Sequence, residues 1–311
     1  MTAGPVALQA SSRARLGQWL LAAIALGAVA YAAYGLDLRA VVERVAAARV
    51  LPLLAALGVG ATIPALVALQ WWIFLPPGAR PGYWRICRYA VLAIAAWSVL
   101  PSVAGVAVAA AVLATSGIGA ASSATVLALD QLGVGVAKSV LFVSTALLVP
   151  VAGIGAHHAP ALAGVVVTAV LVLVVAGVTV VRRSVGARWQ RWRAWLVSLP
   201  SPRRLVAGIA IGCGVKCVEG VVMVCVDAGL RLTPSLSRTL LTLCGASLST
   251  IIGVAPANLG LYEGSVFAAY RLSGVGPESA AGAALLQHAA NLTPPLALAA
   301  LALLVRWWRR D

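Results

Sequence analysis

The sequence predicts an all-α polytopic membrane protein, and three observations lead there. Of its 311 residues 62% are apolar and 10% charged, against roughly 45–50% and about 25% in soluble domains. The apolar residues fall into runs near the ~20 residues that a helix needs to cross a bilayer. Two Lys and 21 Arg outnumber eight acids for a formal charge of +15, and these cations collect between the runs, as they do on the cytoplasmic side of a membrane. One soluble core cannot hide this much apolar surface, so a soluble enzyme, a disordered chain and a disulfide scaffold are excluded. No stripe of base-stacking aromatics accompanies the charge, which argues against nucleic acid. Cys213 and Cys217 lie one helical turn apart without a completing ligand; the five cysteines read as apolar fillers, and no metal or cofactor is expected.

The elements follow in order. Residues 16–36, after Arg13 and Arg15, form the first span; Ala28-Val29-Ala30 resembles a signal-cleavage site, the alternative reading of this stretch. Residues 37–50 alternate Leu38, Val41, Val42 and Val45 with Arg39, Glu43, Arg44 and Arg49, the spacing of an interfacial amphipathic helix. A span over 51–75 is kinked at Pro64, and 76–88 is a loop holding Arg80, Arg85 and Arg88. The apolar stretch 89–117 is broken at Pro101 and Gly105; spans follow at 122–149 and 160–181. The linker 182–204 carries seven Arg with Trp189, Trp192 and Trp195, an amphipathic helix suited to an anionic leaflet. Residues 205–229, 238–255, 257–272 and 278–305 complete the apolar segments, with Pro256 breaking 238–272.

Charge decides the topology. If 89–117 crossed fully, a cytoplasmic N-terminus would put the seven-Arg linker outside, against the positive-inside rule. If 89–117 and 238–272 each enter, turn and return, then Arg80, Arg85 and Arg88, the seven-Arg linker, and Arg306, Arg309 and Arg310 can all be cytoplasmic, and the loop 150–160, free of Lys and Arg, falls outside. The expected architecture is therefore about six full spans plus two re-entrant helical hairpins, eight helical elements counting each hairpin once, in a single membrane domain with both termini cytoplasmic. An internal repeat agrees: Pro101-Ser102-Val103-Ala104-Gly105 aligns with Pro256-Ala257-Asn258-Leu259-Gly260, Gly117-Ile118-Gly119 with Gly274-Val275-Gly276, and Asp130 with Gln287. The halves, approximately 16–149 and 160–305, read as inverted repeats of the secondary-transporter kind. Broken backbone survives inside a bilayer only when buried in protein or lining a wet cavity, so the tips at Pro101, Gly105, Pro256 and Gly260 are the expected cavity floor.

Polar residues inside apolar segments are the site candidates, because each charge facing lipid at mid-span costs about 2.5–3.5 kcal/mol. Lys216 and Glu219, three apart, suit a local ion pair. Asp130 and Lys138 are two turns apart and should each meet another helix; Asp130 and Gln131 are candidates for the cavity wall. Glu263 follows the break at Gly260 with Asn258 and Tyr262 beside it, placed to accept backbone N–H groups, bind a cationic headgroup or carry a proton. Gln287 and His288 sit on the last span ahead of Pro294-Pro295. His157-His158 read as a solvated loop, and no catalytic constellation or nucleophile motif is present.

The run Pro256-Ala257-Asn258-Leu259-Gly260-Leu261-Tyr262-Glu263-Gly264, with Gly274-Val275-Gly276 and the Ala-rich last span, resembles the flippase-like transmembrane domain of the lysylphosphatidylglycerol synthase family. Leu100-Pro101-Ser102-Val103-Ala104-Gly105 and Asp130-Gln131 look like that family's first-half counterpart. The resemblance implies a lipid translocase of the cell membrane, or an accessory to envelope-lipid pathways, with Glu263 lining the cavity and Pro101, Gly105, Pro256 and Gly260 shaping the tips. Departures are Val106 and Val108 where the family often carries charge, and Gln131 where a basic residue is common. No aminoacyl-transfer domain follows residue 311, so synthase activity is not expected. The expected partners are membrane lipids, anionic on the cytoplasmic face. Two other classes stay open: a membrane-embedded lipid-carrier transferase, and a non-catalytic partner of a separately encoded lipid-modifying enzyme.

Overall fold

In the computed structural model, residues 35–75, 80–100, 102–149, 200–252 and 255–308 are described. The expected spans 16–36 and 160–181, the loop 150–160, His157-His158, the linker up to residue 199 and Pro101 itself lie outside them. All regular structure among the described residues is helical.

Helix α1 (Leu38–Ala46) starts at Asp37, whose carboxylate accepts from Arg39 N and Ala40 N at 2.9 and 3.2 Å, satisfying donors that the first turn leaves open. It buries Val41 and packs along the last helix, leaving Leu38 and Val42 exposed. The span expected over 51–75 is two helices, α2 (Val50–Gly60) and α3 (Ile63–Phe74). The break falls at Ala61–Thr62, just before Pro64, because proline has no N–H to continue the ladder but fits the first turn of a new helix.

Helix α4 (Tyr83–Val99) corrects the expectation of a loop to residue 88. Ile86, Ala90 and Ala93 are fully buried at helical spacing, so the apolar face reaches back past Arg85 and Arg88, which the first two turns present outward. Arg80 terminates α3 from outside, donating to Leu75 O at 3.0 Å and Ile73 O at 3.1 Å with its guanidinium over the Trp72 ring. Helix α5 (Ser102–Leu113) packs back along α4. A Cβ on Gly105 would lie 2.1 Å from Trp97 Cδ1, so the two helices touch where only a hydrogen fits. A π-helical turn, Ala114–Ile118, then leads through Gly117 and Gly119 into the long α6 (Ala120–Leu148).

The second half repeats this order. Long α7 (Pro202–Gly229) precedes α8 (Leu236–Ile252), a 3-10 turn at Pro256–Asn258, α9 (Leu261–Leu272) and α10 (Pro277–Trp308). Contacts between α8 and α9 run in antiparallel register: Arg238 over the Tyr270 ring, Gly245 against Ser265 O, Ser249 bonded to Asn258. Gly274 occupies positive φ ahead of α10 as Gly117 and Gly119 do ahead of α6, and Ile118 and Val275 are both buried. Four stretches, Val50–Phe74, Ser122–Leu148, Pro202–Gly229 and Pro277–Val305, are long and apolar enough to cross a membrane.

Candidate functional site

A cavity of about 390 Å³ lies where the two helix pairs meet. The 256–258 turn packs against α4; Ile94, Trp97, Ser98, Leu100 and Val106 from the first pair face Ala246, Thr250, Ala257, Asn258 and Tyr262 from the second. The long helices close the remaining sides with Gln70, Asp130, Gln131, Lys138, Lys216, Glu219, His288 and Asn291. At the second tip Pro256 and Gly260 bound the short turn between α8 and α9, and polar groups from neighbouring helices line the space beside it.

Each charge has an identifiable setting. Asp130 is 2% exposed; its Oδ1 accepts from Trp71 Nε1 at 2.9 Å and its Oδ2 from Gln131 Nε2 at 3.1 Å. Lys216 Nζ and Glu219 Oε2 pair at 2.6 Å within α7, as their spacing predicts. Lys138 crosses to α8, donating to Thr250 Oγ1 at 2.9 Å. Asn258 Nδ2 donates to Ser249 Oγ at 2.7 Å, locking the tip onto α8.

Glu263 differs from its expected place on the wall. It stands behind it: Oε2 accepts from Gly260 N at 2.7 Å, and Oε1 meets His288 Nδ1 at 2.6 Å. Gly260 has φ +81°, a conformation open to glycine at little cost, and this turns its N–H onto the carboxylate three residues ahead. His288 therefore lines the cavity, and Glu263 orients it. Tyr262 stacks on His288 with ring centroids 4.5 Å apart and accepts from Asn291 Nδ2 at 2.5 Å.

Gln287 also departs from the expected wall. It is fully buried, because one residue along a helix turns the side chain about 100° away from His288. Its Nε2 donates to Met223 O at 3.1 Å and contacts Tyr270 Oη at 3.2 Å. Pro256 and Gly260 shape the second tip without touching the cavity, and Gly105 faces Trp97 rather than the opening.

Two groups escaped sequence reading. Gln70 is 1% exposed where α3, α6 and α7 cross beside Gly133 and Gly212, and its Nε2 has no partner among the described residues. The other is a buried cluster outside the cavity. Asp227 accepts from Arg238 Nε at 2.9 Å and from Tyr270 Oη at 2.5 Å, and Arg238 reaches Thr233 O. Near the ends of their helices Asp227 and Arg238 look like interfacial charges; only the fold brings them together.

Long apolar helices packed around a polar interior cavity define a polytopic helical membrane protein. The family described as the lysylphosphatidylglycerol synthase TM region matches residues 18–299, most of the chain, and the protein belongs to that family. Membership gives it a membrane, lipid-related role. No curated protein matches it.

Proposed function

We propose that the protein is a lipid flippase-like transporter that passes a polar headgroup between leaflets through this cavity while the acyl chains stay in the bilayer. The observation that carries the reading is the junction of the two helix pairs at a pocket lined by Asp130, Lys138, Lys216, Glu219 and His288. A volume of about 390 Å³ lies in the range of small-ligand sites, enough for a headgroup and too little for acyl chains.

Length supports re-entry. Helices α5 and α9 have 12 residues each, about 18 Å at 1.5 Å per residue, well short of the ~30 Å hydrocarbon layer. In this reading each enters with its partner and returns, from opposite sides, and the aligned order of hairpin, glycine turn and long helix is an inverted repeat. In the same reading both termini are cytoplasmic, which puts Arg80, Arg85 and Arg88 and the seven-Arg linker on the cytoplasmic side. The protein acts as a carrier of the lipid rather than as the enzyme that modifies it.

The test is leaflet exchange of headgroup-labelled lipids in reconstituted vesicles. Wild type should exceed empty vesicles, and Glu263→Gln, which weakens the hold on His288, should slow exchange several-fold. Equal rates in wild type, variant and empty vesicles would remove the reading.

A further inference from the structure

The cavity's hydrogen-bonding groups are unevenly matched: Gln70 Nε2 and Asn258 Oδ1 lack partners among the described residues, and Lys138 has donors to spare. A lysine ammonium carries three N–H donors, and Lys138 uses one, on Thr250. Among the described residues Lys138 has no carboxylate partner, whereas Lys216 is matched by Glu219 and His288 by Glu263. Thr250 cannot neutralise Lys138; its hydroxyl donates onward to Ser247 O at 2.8 Å and so turns a lone pair toward Nζ, fixing where the ammonium sits. Lys216 and Glu219 line the same cavity from α7 as an ion pair, so Lys138 is the lysine there whose charge no carboxylate bond answers among the described residues. Gln70 Nε2 adds a second buried, unmatched donor on the same cavity. Asp130 does not balance Lys138: it is eight residues away, about 12 Å along α6, nearly fully buried, and both its oxygens already accept bonds.

We infer that Lys138, held by Thr250 in this cavity, is the binding point for a phosphate-type oxyanion. Several acceptor oxygens on one tetrahedral centre suit the two free N–H bonds of Lys138, since charge-assisted bonds to phosphate are the strong ones. This rests on the translocase reading and deepens it: the anion is the phosphate of a phospholipid headgroup, and uncharged glycolipids would find no match there. A free phosphate ion shares the chemistry.

The test uses the full chain in nanodiscs holding equal amounts of phosphatidylglycerol and an uncharged glycolipid. Retained lipid is read by native mass spectrometry. Wild type should retain the phospholipid in excess, Lys138→Gln should cut that excess about tenfold or more, and Lys138→Arg should keep most of it. Thr250→Val, which leaves the charge but frees its position, should give an intermediate loss. A wild-type ratio near one, or a Lys138→Gln protein that melts normally and keeps the wild-type ratio, overturns the inference. In a second arm inorganic phosphate is titrated against the lipid-loaded protein. Competition with the phospholipid supports the shared site; saturable phosphate binding that Lys138→Gln abolishes, with the lipid ratio at one, overturns the lipid as its source. Failure of the translocase reading looks different: selective retention that depends on Lys138, with no leaflet exchange.

Discussion

The helix pair α4–α5 closes through shape, with Gly105 against the Trp97 ring and an apolar cluster of Ile86, Ala90, Ala93, Ala109 and Leu113 beneath it. The pair α8–α9 adds polar bonds at several levels: Asp227 with Arg238 and Tyr270 at its base, Ser249 with Asn258 at its tip, and Glu263 with His288 beside the cavity. Two segments with matching helix breaks thus reach similar packing by different means. Dispersion contacts allow small shifts, whereas a buried ion pair holds one geometry or loses its partner outright. The second pair is thus anchored to its neighbours by specific polar bonds, the first by close packing.

Breaking the anchor should have the largest effect. Asp227→Leu leaves Arg238 buried without its carboxylate and should destabilise the fold by about 3–5 kcal/mol, read by unfolding in mixed detergent micelles; adding Arg238→Leu should recover much of the loss. Next come the two close approaches. A Cβ on Gly245 would lie 2.7 Å from the backbone oxygen of Ser265, so Gly245→Ala must push the helices apart, at about 1–3 kcal/mol. Gly105→Ala meets a ring instead, and Trp97→Ala should restore part of its loss, while no truncation at Ser265 should rescue Gly245→Ala. A smaller cost, about 0.5–2 kcal/mol, is expected for Trp71→Phe, which removes the bond to Asp130 between α3 and α6. The least is expected outside the bundle: Arg39 and Glu43 pair at 3.0 Å with side chains 88% and 66% exposed, and Arg39→Ala should change stability by less than about 0.5 kcal/mol.

What could be read in the sequence was what depends on local spacing. The helical break at Pro256, the Lys216–Glu219 pair and the amphipathic α1 follow from residues within one or two turns of each other, whereas Gly105, expected at a break, lies inside α5. The start of α4 was hidden because Arg85 and Arg88 suggest a loop when counted as charges, although Ile86, Ala90 and Ala93 already carry a buried face. The partnership of Glu263 with His288 spans 25 positions and that of Lys138 with Thr250 spans 112; hydropathy marks each residue as unusual but does not say which helix it meets. Gln287 shows the remaining limit. Its neighbour His288 reaches the cavity and it does not, a difference set by the rotation of α10 in the bundle.

The most direct measurement fills the cavity without touching its charges. Val134 lines it from α6, one turn from both Asp130 and Lys138, and Val134→Trp should occupy the headgroup's space. Reconstituted beside wild type, a Val134→Trp protein that folds normally should lower leaflet exchange of labelled phospholipid to the rate of empty vesicles. Exchange at the wild-type rate through the filled cavity would contradict the account.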